Sequence, residues 1–280
     1  MKVRALFAVV ALAGAAASAS AGVTSANAFN VQLRNWNDYP SSAITPDIAA
    51  NQTSHARITE NMNPPGTSDP QKFANRHLAY FSEDGGANKL SMQMNQSFKI
   101  SYKMVLNSNV DNDGSGQNWP QQPEGGLFFG NDRGGGWIDE GGIFVVGNGT
   151  VFVGGANQKF SLIGEHNNGT DAFKKGDILS MSYTYYSAAD FGGTAGYAVE
   201  FMNLTTGFSK TVRNTFDPSG PNGFNDGSWV AFRWQHTRNP LVDGGTVNDI
   251  EYYDIAVIPS PAGASLLALG GLVAARRRRA

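Results

Sequence analysis

Three carboxylates lie within six residues near the C-terminal end of this chain, in Asp249-Ile250-Glu251-Tyr252-Tyr253-Asp254. Retaining glycoside hydrolysis needs two carboxyls about 5 to 5.5 Å apart. In a regular strand, side chains alternate between faces, so Asp249 and Glu251 share one face and Asp254 falls on the other. That periodicity reads them as solvent-facing acids of a last strand rather than as a catalytic set. A second group, Asp111-Asn112-Asp113-Gly114-Ser115-Gly116, offers alternate carboxylates and a turn glycine, the opening of a calcium loop. Gln122 holds the twelfth position, where an EF-hand needs a bidentate Glu. The stretch is a polar turn or a non-EF calcium site on Asp111 and Asp113, and calcium is the one cofactor the sequence implies.

A third group is aromatic. Trp119 and Trp137 stand in Gly-, Asn- and Pro-rich stretches, whereas Trp229 and Trp234 stand in an alternating strand pattern. Exposed indoles beside polar side chains suit sugars, whose C–H faces stack while their hydroxyls take directional hydrogen bonds. Trp119, Asn131, Asp132, Arg133, Trp137 and Asp139 therefore form a candidate glycan surface. The alternative is that both tryptophans cap the core beneath a long loop. His55, His77, His166 and His236 are far apart with no ligand spacing. There is no Gly-x-Ser-x-Gly elbow, phosphate-cradling loop or dinucleotide fingerprint. Cysteine is absent, which excludes thiol catalysis, Cys-based zinc sites and disulfide staples.

The elements that must position these groups read as strands. Residues 98–104 alternate apolar and polar with period two, putting Phe98, Ile100, Tyr102 and Met104 on one face. In residues 143–153, β-branched and aromatic residues flank Gly147-Asn148-Gly149, the chemistry of a tight hairpin. Residues 177–187, 196–203, 228–236 and 247–258 repeat the theme, and 29–36, 55–60 and 77–83 are weaker candidates. About ten short strands separated by Gly, Asn and Asp turns, without helical periodicity, predict an all-β antiparallel two-sheet sandwich.

Both ends follow another logic. Lys2 and Arg4, an apolar run from Ala5 to Ala17 and then Ala19-Ser20-Ala21 make the pattern of a signal peptide cut after Ala21. At the other end Pro259-Ser260-Pro261 precedes a short apolar stretch and Arg276, Arg277, Arg278 and Arg279. As a helix, the 14 residues 262–275 reach about 21 Å against the ~30 Å of a bilayer core. Arginines that stay inside and snorkel make up the difference, leaving the body outside. The reading is residues 1–21 a signal helix, 22–258 one sandwich domain, and 259–280 a sorting segment with a short transmembrane helix. Removing both ends leaves 15 basic against 23 acidic residues, a net charge of −8. An acidic body without a basic run excludes nucleic acid and disfavours strongly anionic polysaccharides.

The three-part tail resembles the PEP-CTERM sorting signal of bacterial exported proteins, with Ser260 where the family usually has Glu. The resemblance implies signal peptidase and an exosortase-type enzyme as partners, transient holding at the inner membrane, and then the cell surface or the extracellular space. Residues 229–236 ("WVAFRWQH"), a loop and the last strand "VNDIEYYDIAV" resemble the closing strands of concanavalin A-like lectin/glucanase jelly rolls. Laminarinase-type glycoside hydrolases on that fold carry alternating acids on a mid-chain strand, whereas Asp249 and Glu251 stand at the end of the body. The expected protein is non-enzymatic: a surface or extracellular-matrix protein with weak binding to extracellular polysaccharide. A glycoside hydrolase or polysaccharide lyase, and a purely structural adhesion module, are the alternatives. The hydrolase or lyase would show a concave sheet face with two close carboxylates, one of raised pKa.

Overall fold

The computed structural model describes residues 26–49, 53–62, 74–108, 122–131, 140–164, 171–217, 225–237 and 246–259. Fourteen strands run through them: β1 (Ala28–Asn37), β2 (Ala43–Ile48), β3 (His55–Asn61), β4 (Ala74–Ser82), β5 (Phe98–Leu106), β6 (Glu124–Gly130), β7 (Glu140–Val146), β8 (Thr150–Gly155), β9 (Ser161–Gly164), β10 (Leu179–Tyr186), β11 (Gly196–Asn203), β12 (Ser209–Thr215), β13 (Trp229–Thr237) and β14 (Val247–Pro259). They form two seven-stranded sheets, ordered β1-β4-β13-β6-β7-β8-β9 and β12-β11-β10-β5-β14-β3-β2. Every described pairing is antiparallel, so the expectation of an all-β two-sheet sandwich is met. The expected signal helix and C-terminal membrane helix fall outside the described residues. Among the described residues no helix is long and apolar enough to cross a membrane.

The core follows from period-two alternation. In β5 the burial alternates strictly, with Phe98, Ile100, Tyr102, Met104 and Leu106 facing the opposite sheet. Phe232, Trp234 and Tyr252 meet them from β13 and β14, with the Phe232 and Tyr252 rings stacked at 4.4 Å. The first sheet is buried on both faces. Its second face carries another cluster, made of Leu78, Tyr80, Phe128, Phe144, Phe152, Trp229 and neighbours. Hence the continuous apolar runs of β6 and β7, which lack the alternation expected of a half-buried strand.

The hairpin at Gly147–Gly149 joins β7 to β8 as expected. Four strands had no sequence signature: β2, β6, β9 and β12. β2 and β12 are sheet edges that bury little, and β2 carries Pro46, which cannot donate to a ladder and so suits an edge. β6 opens Glu-Gly-Gly. At Gly126 the backbone has φ +139°, and a Cβ there would lie 1.8 Å from the Ile143 carbonyl oxygen. Pro259 is the last residue of β14, paired with Phe98, so the sheet runs one residue past the expected domain boundary at 258.

Candidate functional site

The outward face of the first sheet holds a charged cluster on an aromatic floor. Strand pairing places Arg76 of β4 opposite Gln235 of β13, and Gln235 opposite Glu124 of β6. Directly opposed residues in an antiparallel pair share a face. Arg233 and Trp229, at even spacing from Gln235, lie on that same face, and the Arg233 guanidinium stacks 4.6 Å above the Phe128 ring. Arg76 Nη1 donates to both Glu140 oxygens at 3.1 Å, and Arg233 lies 2.9 Å from Glu124 Oε1 and 3.7 Å from Glu140 Oε2. Arg233 Nη2 also donates to the Gln235 amide oxygen. Arg76 stands on β4 and Glu140 on β7, three strand spacings across and, by register, six residues along, roughly 24 Å apart in a flat sheet and beyond the reach of the two side chains. Their contact means that the sheet curls toward this face, which is therefore concave.

The rim of that face carries Trp36. β1 is bulged between Gln32 and Trp36, and beyond the bulge Trp36 pairs directly opposite Arg76. The indole is 49% exposed. Its neighbour Asn35 accepts from Arg76 Nε at 3.0 Å and Nη2 at 2.6 Å, so the guanidinium is held between Asn35 and Glu140. Further in, Trp229 lies across Gly130, where a Cβ would come 2.5 Å from the indole ring. Trp229 Nε1, Arg233 Nε and Gln122 Oε1 are buried without a hydrogen-bond partner among the described residues, and Glu124 Oε1 has only its ion-pair contact with Arg233. Buried polar atoms are rarely left unbonded, and a run of them on one face marks where a ligand's polar groups or water go.

Burial raises the Glu124 carboxyl, with Arg233 opposing and Glu140 adding to the rise. Burial also lowers the Arg76 guanidinium, against the pull of Glu140. Beneath the face, Tyr252 of the second sheet reaches into the gap between β6 and β13. Its hydroxyl donates to the Arg233 carbonyl at 2.5 Å and accepts from the Gly126 N–H at 2.6 Å. One phenol thus fixes the backbone that carries Arg233 and Glu124.

Of the expected glycan residues, Asn131 is described. It follows Gly130 at the end of β6 and is buried. Trp119, Asp132, Arg133, Trp137 and Asp139, and the expected calcium ligands Asp111 and Asp113, lie outside the described residues. So do Ala19, Ala21, Ser260, Pro261 and Arg276 to Arg279. Trp36 went unnoticed in the sequence because it sits in a polar stretch, Arg34-Asn35-Trp36-Asn37, whose strand pattern is broken by the bulge.

A second polar cluster joins the sheets. Far apart in sequence, His77 and His236 come within 5.3 Å of each other, ring centroid to ring centroid, because β4 and β13 are neighbours. Both face Glu60 of β3, and all three side chains are fully buried. Glu60 Oε2 accepts from His77 Nε2 at 2.8 Å and from His236 Nδ1 at 3.0 Å. Its other oxygen accepts from Asn75 Nδ2 at 2.6 Å and from the Ser42 hydroxyl. Burial acts to raise the Glu60 carboxyl, but the hydrogen bonds from His236 and His77 outweigh it and hold the group far below the usual range. One Glu and two His form a donor set that could hold a metal ion. The hydrogen bonding points elsewhere. His77 Nδ1 accepts the Arg34 N–H at 2.9 Å, so the proton of that ring is on Nε2, the atom a metal would need. Metal-bound histidines instead donate from their second nitrogen. The trio is an anion hub, closed by the strained backbone of Arg34 at φ +54°.

The acids of β14 are likewise paired off. Asp249 takes a two-point bond from Arg57, at 2.8 and 2.6 Å, and Glu251 lies 2.9 Å from His55 Nε2. They share a face, as expected. Asp254 does not follow the regular alternation: it sits at φ +49° in a bulge between Tyr253 and Ala256, where it meets Lys103 at 2.7 Å. The outer face of the second sheet holds an open depression of about 620 Å³ lined by serine and threonine hydroxyls around the Lys99–Glu200 ion pair. Its one aromatic lining residue, Phe201, is buried in the core and offers no exposed ring.

No family model and no curated protein matches this chain. Solved structures that it resembles include lectin II from Ulex europaeus, with 10% identity over 78% of this chain and 98% of that one and a TM-score of 0.40. The alginate lyase from Klebsiella pneumoniae shares 12% identity over 74% of this chain and 81% of that one, with a TM-score of 0.46. The PL-14 alginate lyase from Aplysia kurodai shares 8% identity over 79% and 90%, with a TM-score of 0.43.

Proposed function

We propose that this sandwich is a non-catalytic carbohydrate-binding domain of an exported surface or extracellular-matrix protein, with the concave face of the first sheet as its site. The observation that carries the reading is the exposed indole of Trp36 directly opposite Arg76, whose guanidinium is pre-aligned by Asn35 and Glu140. A half-exposed aromatic ring beside fixed donors and acceptors supplies both parts of sugar recognition, a stacking surface and directional hydrogen bonds. The unpartnered atoms of Trp229, Arg233 and Gln122 extend the polar character of the face inward. The terminal segments supply the export and sorting reading.

A specific observation favours a second reading. Glu124 and Glu140 both approach Arg233 on a concave face, and the Glu124 carboxyl is raised, the pattern expected of a glycoside hydrolase or lyase. A glycan array with the purified protein, followed by measured affinities for Trp36→Ala and Glu124→Gln, separates the readings. A binding module loses at least tenfold in affinity with Trp36→Ala and releases no sugar. Release of reducing ends or unsaturated products that stops with Glu124→Gln would replace the first reading with the second.

A further inference from the structure

Resting on the carbohydrate reading, we infer that the concave face selects neutral polysaccharide over polyuronate, and that Glu140 is the residue that sets this specificity. Arginine binds a sugar carboxylate by offering it a free in-plane edge of the guanidinium. Here protein oxygens occupy both edges of Arg76 and draw on the Nη end of Arg233, which keeps only its buried Nε unpaired. Arg76 gives Nε and Nη2 to Asn35 and Nη1 to both oxygens of Glu140. Arg233 is drawn to Gln235, to Glu124 at 2.9 Å and to Glu140 at 3.7 Å. The Glu140 carboxylate, its side chain 6% exposed, thus sits where a uronate carboxylate would have to go, bridging both guanidiniums.

A uronate entering this face would meet Glu124 and Glu140 as like charges, an arrangement that rejects a ligand by repulsion as well as by lost contacts. A neutral sugar meets no such cost. Its hydroxyls can donate to the carboxyl oxygens that line the face. The body's net charge of −8 acts in the same direction at long range.

The test uses the full chain, a β-glucan, a mannan and a galactan as neutral probes, and polygalacturonate and alginate as polyuronates, at about 0.15 M salt so that exposed charges are screened. The expected result is at least tenfold tighter binding to one neutral polymer than to either polyuronate. Glu140→Gln, which removes the charge and keeps the shape, should gain at least tenfold for a polyuronate. Glu124→Gln is the second variant should the first not fold, with a smaller gain in the same direction. Wild-type binding to polyuronate at equal or greater affinity overturns this specificity while leaving the carbohydrate reading intact. Neutral preference with no polyuronate gain in a folded variant overturns the role of Glu140. Binding to none of the polymers overturns both.

Discussion

Replacing Glu60 should reveal how much of the stability rests on one buried anion. The carboxylate accepts from Ser42, Asn75, His77 and His236. In Glu60→Ala, two of those donors keep a partner, since the Ser42 hydroxyl and the Asn75 amide both also bond the Tyr39 carbonyl, at 2.8 and 2.9 Å. The N–H groups of His77 and His236 that point at Glu60 lose theirs. At about 1 to 3 kcal/mol per stranded buried donor, plus a cavity, Glu60→Ala should cost about 5 kcal/mol, a large share of the 5 to 15 typical of a domain. Glu60→Gln keeps the shape but must turn an NH2 group toward one pair of donors. With its oxygen toward the histidines, the NH2 opposes the Asn75 amide, and the cost should be about 3 kcal/mol. Urea unfolding monitored by circular dichroism reads this directly. With m about 2 to 3 kcal/mol/M, Glu60→Gln lowers the midpoint by about 1 M at unchanged m. A shift under about 0.2 M would refute the four-donor hub. A midpoint lowered by EDTA would refute the assignment as an anion hub rather than a metal site.

Acid should weaken the same hub in two steps. Burial lowers the His236 pKa from near 6.5, against its bond to Glu60, so the unfolded chain binds the proton more readily and stability falls as pH drops below about 6.5. The Glu60 pKa is also depressed, so its contribution is full above about 4.5 and is lost as pH falls below that value. Urea midpoints from pH 7.5 to 3.5 should show both steps, and Glu60→Gln should shrink the lower one, leaving the part due to other depressed carboxylates such as Glu200. Trp36→Ala, at an exposed rim position, should change the unfolding free energy by no more than about 0.5 kcal/mol while weakening sugar binding at least tenfold, and a large loss of stability would place Trp36 in the core instead. Tyr252→Phe removes a hydroxyl bonded to both Gly126 and Arg233 and should cost about 1 to 3 kcal/mol; backbone amide exchange at Gly126 that stays as slow as in the parent would argue against that role.

The strands that alternate were legible from residue types, and the structure returns β5, β11, β13 and β14 within two residues of their expected spans. What escaped is instructive in physical terms. β12 has one buried apolar residue, Val212, because an edge strand needs little burial, and β6 hides behind glycines that admit close backbone approach. His77, His236 and Glu60 looked unrelated because their spacing in sequence carries no information about a contact made by β4, β13 and β3. Arg76, Arg233, Glu124 and Glu140 escaped for the same reason. A site built across four strands of one sheet has no local motif, and only the register discloses it.

β14 closes the described chain, yet it is an inner strand, paired with β3 over Val247–Tyr253 and with β5 from Ile250 to Pro259 across a bulge. A pull applied beyond Pro259 therefore acts parallel to the strand and loads hydrogen bonds in shear, first those to β5 and then, from Tyr253 inward, those to both β5 and β3, where many must break together. Tyr252 carries part of that load across to Gly126 and Arg233 in the other sheet. Tension between the C-terminal end and the concave face would thus run through the inner strand pairings of one sheet and, by way of Tyr252, into the backbone of the other.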